Sequence, residues 1–169
     1  MQLIRKNITG FTLVELIIVI AIIAILAAAI FVAIDPARRL HEARNARRQS
    51  DVATIVEALK QYQVDHGGDH YVQVADAQED VYYIIGQAAL VCESSCTAIA
   101  DAAVGCLDLR DMGTNYLSQV PMDPKIGTPE RTWYYLMKDS NGAITVGACE
   151  PEGEGPGGMG VPPKIEATR

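Results

Sequence analysis

The sequence is poor in the residues that enzyme and metal chemistry need. It holds three histidines, His41, His66 and His70, and no Ser-His-Asp or Cys-His spacing is recognisable around them. Two of them fall in Asp65-His66-Gly67-Gly68-Asp69-His70, which reads as a polar loop at a helix end. The four cysteines, Cys92, Cys96, Cys106 and Cys149, include no Cys-x-x-Cys pair and have no histidine close by, which argues against zinc. Asp139-Ser140-Asn141-Gly142 lacks the full spacing of a calcium loop and reads as a turn. No catalytic residue, metal or cofactor is expected. Positive charge is also scarce beyond residue 50: residues 51–169 carry 18 acids against 7 Lys/Arg, a balance of −11. Such a segment is unlike a nucleic-acid-binding module, which would present a basic face.

Charge is nearly absent from one long run. Between Phe11 and Ile34 the sole ionisable side chain is Glu15. Those 24 residues would form a helix of about 36 Å, enough to cross a hydrocarbon core of about 30 Å with some tilt. A carboxylate there costs several kcal/mol in hydrocarbon. The chain offers no partner near it in the bilayer, so the expected partner belongs to another molecule. A short leader with Arg5 and Lys6 precedes the run, and Gly10 stands at the junction, where the missing side chain lets a peptidase approach the backbone. A plain secretory signal would read similarly, with Ala27-Ala28-Ala29 as its cleavage region, but Glu15 at the mouth of the apolar run argues against it.

The segment Lys6-Asn7-Ile8-Thr9-Gly10-Phe11-Thr12-Leu13-Val14-Glu15-Leu16 resembles the processing signal of type IV pilins and type II secretion pseudopilins. Close resemblance covers roughly the first third of the chain. It implies cleavage after Gly10 and methylation of the new amine of Phe11 by a prepilin peptidase/methyltransferase. It implies that this amine meets Glu15 of a neighbouring subunit, where each charge neutralises the other. The implied protein is a structural subunit rather than an enzyme, held in the cytoplasmic membrane by a single span with its head outside. It would be in contact with the bilayer before assembly and with the pilus assembly machinery. Its partners in the filament would be copies of itself and related minor pilins. A type IV pilus-like filament, a pseudopilus serving secretion or DNA uptake, and a minor tip subunit that binds a ligand are all compatible with the signal.

The expected organisation is a leader at 1–10, a transmembrane and filament-core helix at 11–34, an amphipathic stem at 35–66, a small head at 67–149 and a flexible tail at 150–169. Asp35-Pro36 marks a kink or a cap between the two helices. Residues 37–65 contain no glycine or proline, and Val52, Ile55, Val56, Leu59 and Tyr62 share one face, which should pack on a sheet. The more polar stretch 38–51 is expected to project from the head. Its arginines, Arg38, Arg39, Arg44, Arg47 and Arg48, would meet lipid headgroups, acids of neighbouring subunits, or only water.

In the head, 71–74 is expected to be extended and 81–85 either strand or helix. Residues 86–104 read as a loop and 107–117 as holding a short helical turn, while prolines keep 120–124 irregular. Residues 132–137 and 143–148 should form a hairpin around Asn141-Gly142. Residues 150–163 are rich in Gly, Pro and Glu and read as mobile. An even cysteine count in an exported domain favours disulfides. Three connectivities are open, of which Cys106–Cys149 with Cys92–Cys96 is preferred because Cys149 ends a strand-like run. The fold class expected is α+β, a long N-terminal helix packed on a small antiparallel sheet.

Overall fold

The computed structural model describes residues 10–87, 96–99 and 102–169. Most of the leader, Cys92 and much of the expected 86–104 loop lie outside them. The chain divides into two compact units, residues 1–36 and 37–169.

The first unit is built around α1, Leu13–Ile34. It has no buried residue, and its leucines, isoleucines and valines are exposed on every side. A helix apolar all round is suited to hydrocarbon or to the interior of an assembly, not to water. At 22 residues it is about 33 Å long, the length of a membrane span. It ends at Asp35, which adopts the left-handed conformation with φ 47°. Pro36 then opens α2, Pro36–Asp65, at the position where a missing N–H costs nothing.

The second unit packs α2 on a five-stranded sheet. Its strands are β1 (Tyr82–Ile85), β2 (Ala102–Leu107), β3 (Tyr134–Lys138), β4 (Ile144–Ala148) and β5 (Glu166–Thr168), in the order β2-β1-β3-β4-β5. β1 and β2 run parallel; the remaining neighbours are antiparallel, so the sheet is mixed rather than wholly antiparallel. Side chains alternate across it. Tyr134, Leu136, Ile144, Val146 and Ala148 join Val52, Ile55, Val56, Ala58 and Leu59 of α2 in the main core. Tyr135 and Ile84 face the other way and pack with Cys96 and Cys149. The helix face expected from its periodicity is therefore the buried one.

α2 ends as its glycines dictate. Gly67 and Gly68 have φ of 70° and 105°, and the Gly68 N–H returns to the Gln63 carbonyl at 2.8 Å. Residues 81–85 resolve as strand. The expected extended segment at 71–74 is instead one helical turn, Val72–Ala75, which drops Val74 into the core. The loop expected over 86–104 is corrected at its end, because β2 begins at Ala102. The hairpin forms, but β3 starts at Tyr134, since Trp133 has φ 65° and interrupts the extended backbone. In its turn, Asp139 Oδ1 accepts from the N–H groups of Asn141 and Ala143 at 2.8 and 2.7 Å.

Two expectations are overturned. The stretch 150–169 is not a loose tail. β5 pairs with β4, Ile165 is in the core, and the Ile144 and Arg169 backbones bond each other at 2.8 and 2.9 Å. Its composition hid this, because the order comes from partners far away in sequence. Cys149 is bonded to Cys96, not to Cys106, with Cα atoms 4.7 Å apart. Cys149 follows β4 and Cys96 lies with it behind Tyr135, whereas Cys106 sits on β2, with β1 and β3 between it and β4. Cys106 is disulfide-bonded as well.

Candidate processing and assembly site

Gly10, Phe11, Thr12 and Glu15 form a local structure at the start of α1. Thr12 has extended backbone angles and caps the helix. Its hydroxyl accepts from the Glu15 N–H at 3.2 Å, and the Glu15 carboxylate accepts from the Thr12 N–H and hydroxyl, both at 2.9 Å. This reciprocal capping box satisfies helix N–H groups that have no intrahelical acceptor. It also places an anion in the first turn, where the helix dipole favours it. The sequence reading sought a partner for Glu15 only in another molecule. Thr12 supplies hydrogen bonds within the chain, though no opposite charge. The signal was present in the sequence as Thr-x-x-Glu before an apolar run.

The neighbourhood is open. A side-chain carbon added at Gly10 would meet nothing within 4 Å, and Phe11 is 91% exposed. The backbone at the Gly10–Phe11 bond is thus accessible. Beyond Glu15, α1 carries no further charge up to Ile34. This arrangement can present a peptide bond for cleavage and bury an apolar helix in a membrane or a polymer. It holds one carboxylate at the N-terminal end.

Two of the five arginines, Arg44 and Arg48, bind acids of their own chain, a role not expected for them, while Arg38, Arg39 and Arg47 stay exposed beside Glu42 and Asp51. Arg48 is fully buried, and its guanidinium donates to Asp123 at 2.6 and 3.2 Å and to Glu152 at 3.1 Å. Arg44 donates to Glu152 at 2.7 Å, and Lys125 reaches the same carboxylate at 3.0 Å. Asn45 completes the set, donating to the Glu152 carbonyl at 2.7 Å and accepting its N–H at 3.0 Å. Burial works against the Glu152 charge, but the hydrogen bonds from Arg44, Lys125 and Arg48 outweigh it and bring the carboxyl down to about 2. Burial likewise opposes the Arg48 charge, while Asp123 and then Glu152 raise its pKa. From His41 onward the stretch 38–51 therefore does not project freely. Asn45 and Arg48 extend the buried stripe of α2 by the same three-to-four-residue spacing as Val52 and Ile55.

The other polar residues considered in the sequence serve local structure. His66 stacks on Tyr62, ring centroids 3.8 Å apart, and its Nδ1 lies 2.8 Å from the Tyr62 carbonyl oxygen. His70 packs against the turn at Gly142. His41 Nδ1 bonds the Gly153 carbonyl at 2.8 Å.

Residues 5–31 match the prokaryotic N-terminal methylation motif. No curated protein matches the chain, and no solved structure does. The signal opens a chain with an exposed apolar N-terminal helix and an α+β unit, an architecture of the pilin type. The motif is the prepilin-type signal found on type IV pilins and pseudopilins, and here it leads into a helix long and apolar enough to cross a membrane.

Proposed function

We propose that the protein is a structural subunit of a type IV pilus-like filament. Prepilin peptidase cuts after Gly10 and methylates Phe11, and the mature chain polymerises through α1. The observation that carries this reading is α1 itself: 22 residues, none buried, with a single carboxylate at the end where the signal places the cut. Exposed apolar surface of this extent requires lipid before assembly and other α1 helices after it. A single repeated head-to-tail contact yields an open helical polymer.

Cleavage creates a cationic amine at Phe11, one residue from the Thr12 N–H that Glu15 already accepts from. An incoming subunit whose Phe11 amine reaches the Glu15 of its neighbour exchanges a hydrogen-bonded carboxylate for an ion pair in a low-dielectric core. That exchange sets register between subunits, and it is specific because α1 offers no other charge. No catalytic role is assigned to the chain, and its leader faces the cytoplasm while its head lies outside.

Mass spectrometry of the N-terminal peptide from the native host tests the reading. A mature chain beginning at methylated Phe11 supports it. A start near Ile30, or a retained Met1, removes it. Shearing then separates the roles within the class: abundance on sheared filaments marks a major pilin, and loss of secretion on deletion marks a pseudopilin.

A further inference from the structure

His70 lies between the end of α2 and the helical turn Val72–Ala75, and its Nδ1 is buried with no hydrogen-bond partner among the described residues. The ring is seated against the hairpin turn. A side-chain carbon added at Gly142 would come within 3.4 Å of His70 Nε2. Positive charge faces the ring from two elements. Lys138 of β3 is buried and donates its ammonium to the Ala75 carbonyl at 2.7 Å. Lys60 of α2 donates to the Gln63 side chain at 3.0 Å. Of the nearby acids, Asp69 favours a charge on the ring, whereas Asp139 spends its Oδ1 on the N–H groups of Asn141 and Ala143. Burial first, then Lys138 and Lys60, hold His70 below the ordinary histidine range against the pull of Asp69.

A neutral imidazole tolerates this seat, because one of its nitrogens carries no proton and needs no acceptor. Protonation puts an N–H on both nitrogens. The Nδ1–H would then be a buried, charged donor without an acceptor, which costs the full desolvation of that group. The two ammonium groups add repulsion. The ring escapes this cost by turning out to water, and little else has to move with it. Gly67, Gly68 and Asp69 before it are exposed, and the two glycines have φ of 70° and 105°. The folded value lies below the ordinary 6.5, so the seated ring stabilises the fold above that value, and the stability is lost as pH falls below it. Glu152, held at about 2, is still ionised where this loss begins.

We propose that His70 is an acid-released pin: as a neutral ring it holds the turn after α2 against the hairpin turn 139–142, and as a cation it swings out and separates them. The device is local. Val74 in the core and the Lys138 bond to Ala75 keep the following helical turn in place, while the surface shared by residues 66–70 and 139–142 changes shape. Acid thereby alters one face of this unit and leaves its core and the Glu152 cluster intact.

The test is nuclear magnetic resonance of the full chain in detergent micelles, with isotope-labelled histidine and glycine. The nuclear Overhauser cross-peak between the His70 ring and the Gly142 α protons should be present at about pH 7.5 and fall to about a fifth or less as the ring is protonated. Its loss should track the titration of the His70 ring, at a pH below the ordinary 6.5. A cross-peak that persists on the protonated ring would overturn the proposal, as would a ring that titrates at 6.5 or above. His70→Phe keeps a ring that cannot be protonated, so its contact with Gly142 should survive the same acidification. Loss of that contact would assign the release to another group and overturn the proposal. Should phenylalanine not seat at any pH, the wild-type titration alone decides.

Discussion

Replacing Glu152 by glutamine keeps the side-chain volume and removes the charge at the centre of the Arg44–Arg48–Lys125 cluster. The folded carboxyl is held at about 2 against an ordinary value of 4.5. Because the folded value is the lower one, the charge stabilises the fold above the ordinary value, and that stability is lost as pH falls towards 2. The gap corresponds to about 3 kcal/mol at neutral pH, at about 1.4 kcal/mol per pH unit. For a domain of this size that shifts the urea midpoint by about 1.5–2 M. The assay is urea unfolding of the mature chain in detergent, followed by the fluorescence of Trp133, its sole tryptophan. Glu152→Gln should be less stable by about 3 kcal/mol at neutral pH, and the difference should shrink to about half or less by about pH 3, where the wild-type carboxyl begins to protonate. A difference under about 1 kcal/mol, as for an exposed ion pair, would refute the reasoning. So would a difference that does not change with pH.

Three further outcomes are expected. Glu15→Ala should leave cleavage after Gly10 largely intact and abolish or strongly reduce filaments on shearing; normal filaments would dismiss the pairing with the Phe11 amine. Non-reducing peptide mapping should find Cys96 joined to Cys149, and Cys96→Ser with Cys149→Ser should cost about 2–4 kcal/mol, given the 53-residue separation; a Cys106–Cys149 peptide would contradict the fold. Gly147→Ala should cost about 1–3 kcal/mol by urea titration, because the methyl would overlap the Tyr135 ring that crosses Gly147 and bonds Glu166 at 3.1 Å; an unchanged midpoint would show that the ring can move freely.

Local patterns carried much of the second unit. The stripe Val52, Ile55, Val56 and Leu59 named the buried face of α2, and Asn141-Gly142 named the hairpin turn, because each is decided by residues a few positions apart. The polar half of α2 could not be read in the same way. A buried arginine looks like a surface arginine until its acids are known, and Arg48 finds them 75 and 104 residues away. The C-terminal stretch misled for the same reason: glycine and proline suggest mobility, while its order comes from Glu152 on α2 and β5 on β4.

The signal and the anchor belong to the sequence itself. Gly10, Phe11 and Glu15 ahead of an uninterrupted apolar run would require no tertiary contact for the proposed cleavage, which is local, and a single helix satisfies its own backbone in lipid. Even the Thr12–Glu15 capping box closes over three residues. The parallel pairing of β1 with β2, the bond between Cys96 and Cys149, and the burial of Arg48 were decided only by the folded chain. Each joins segments whose partners become known only when the sheet is assembled, and a buried charge or a disulfide is stable only where that assembly brings the right group within bonding distance.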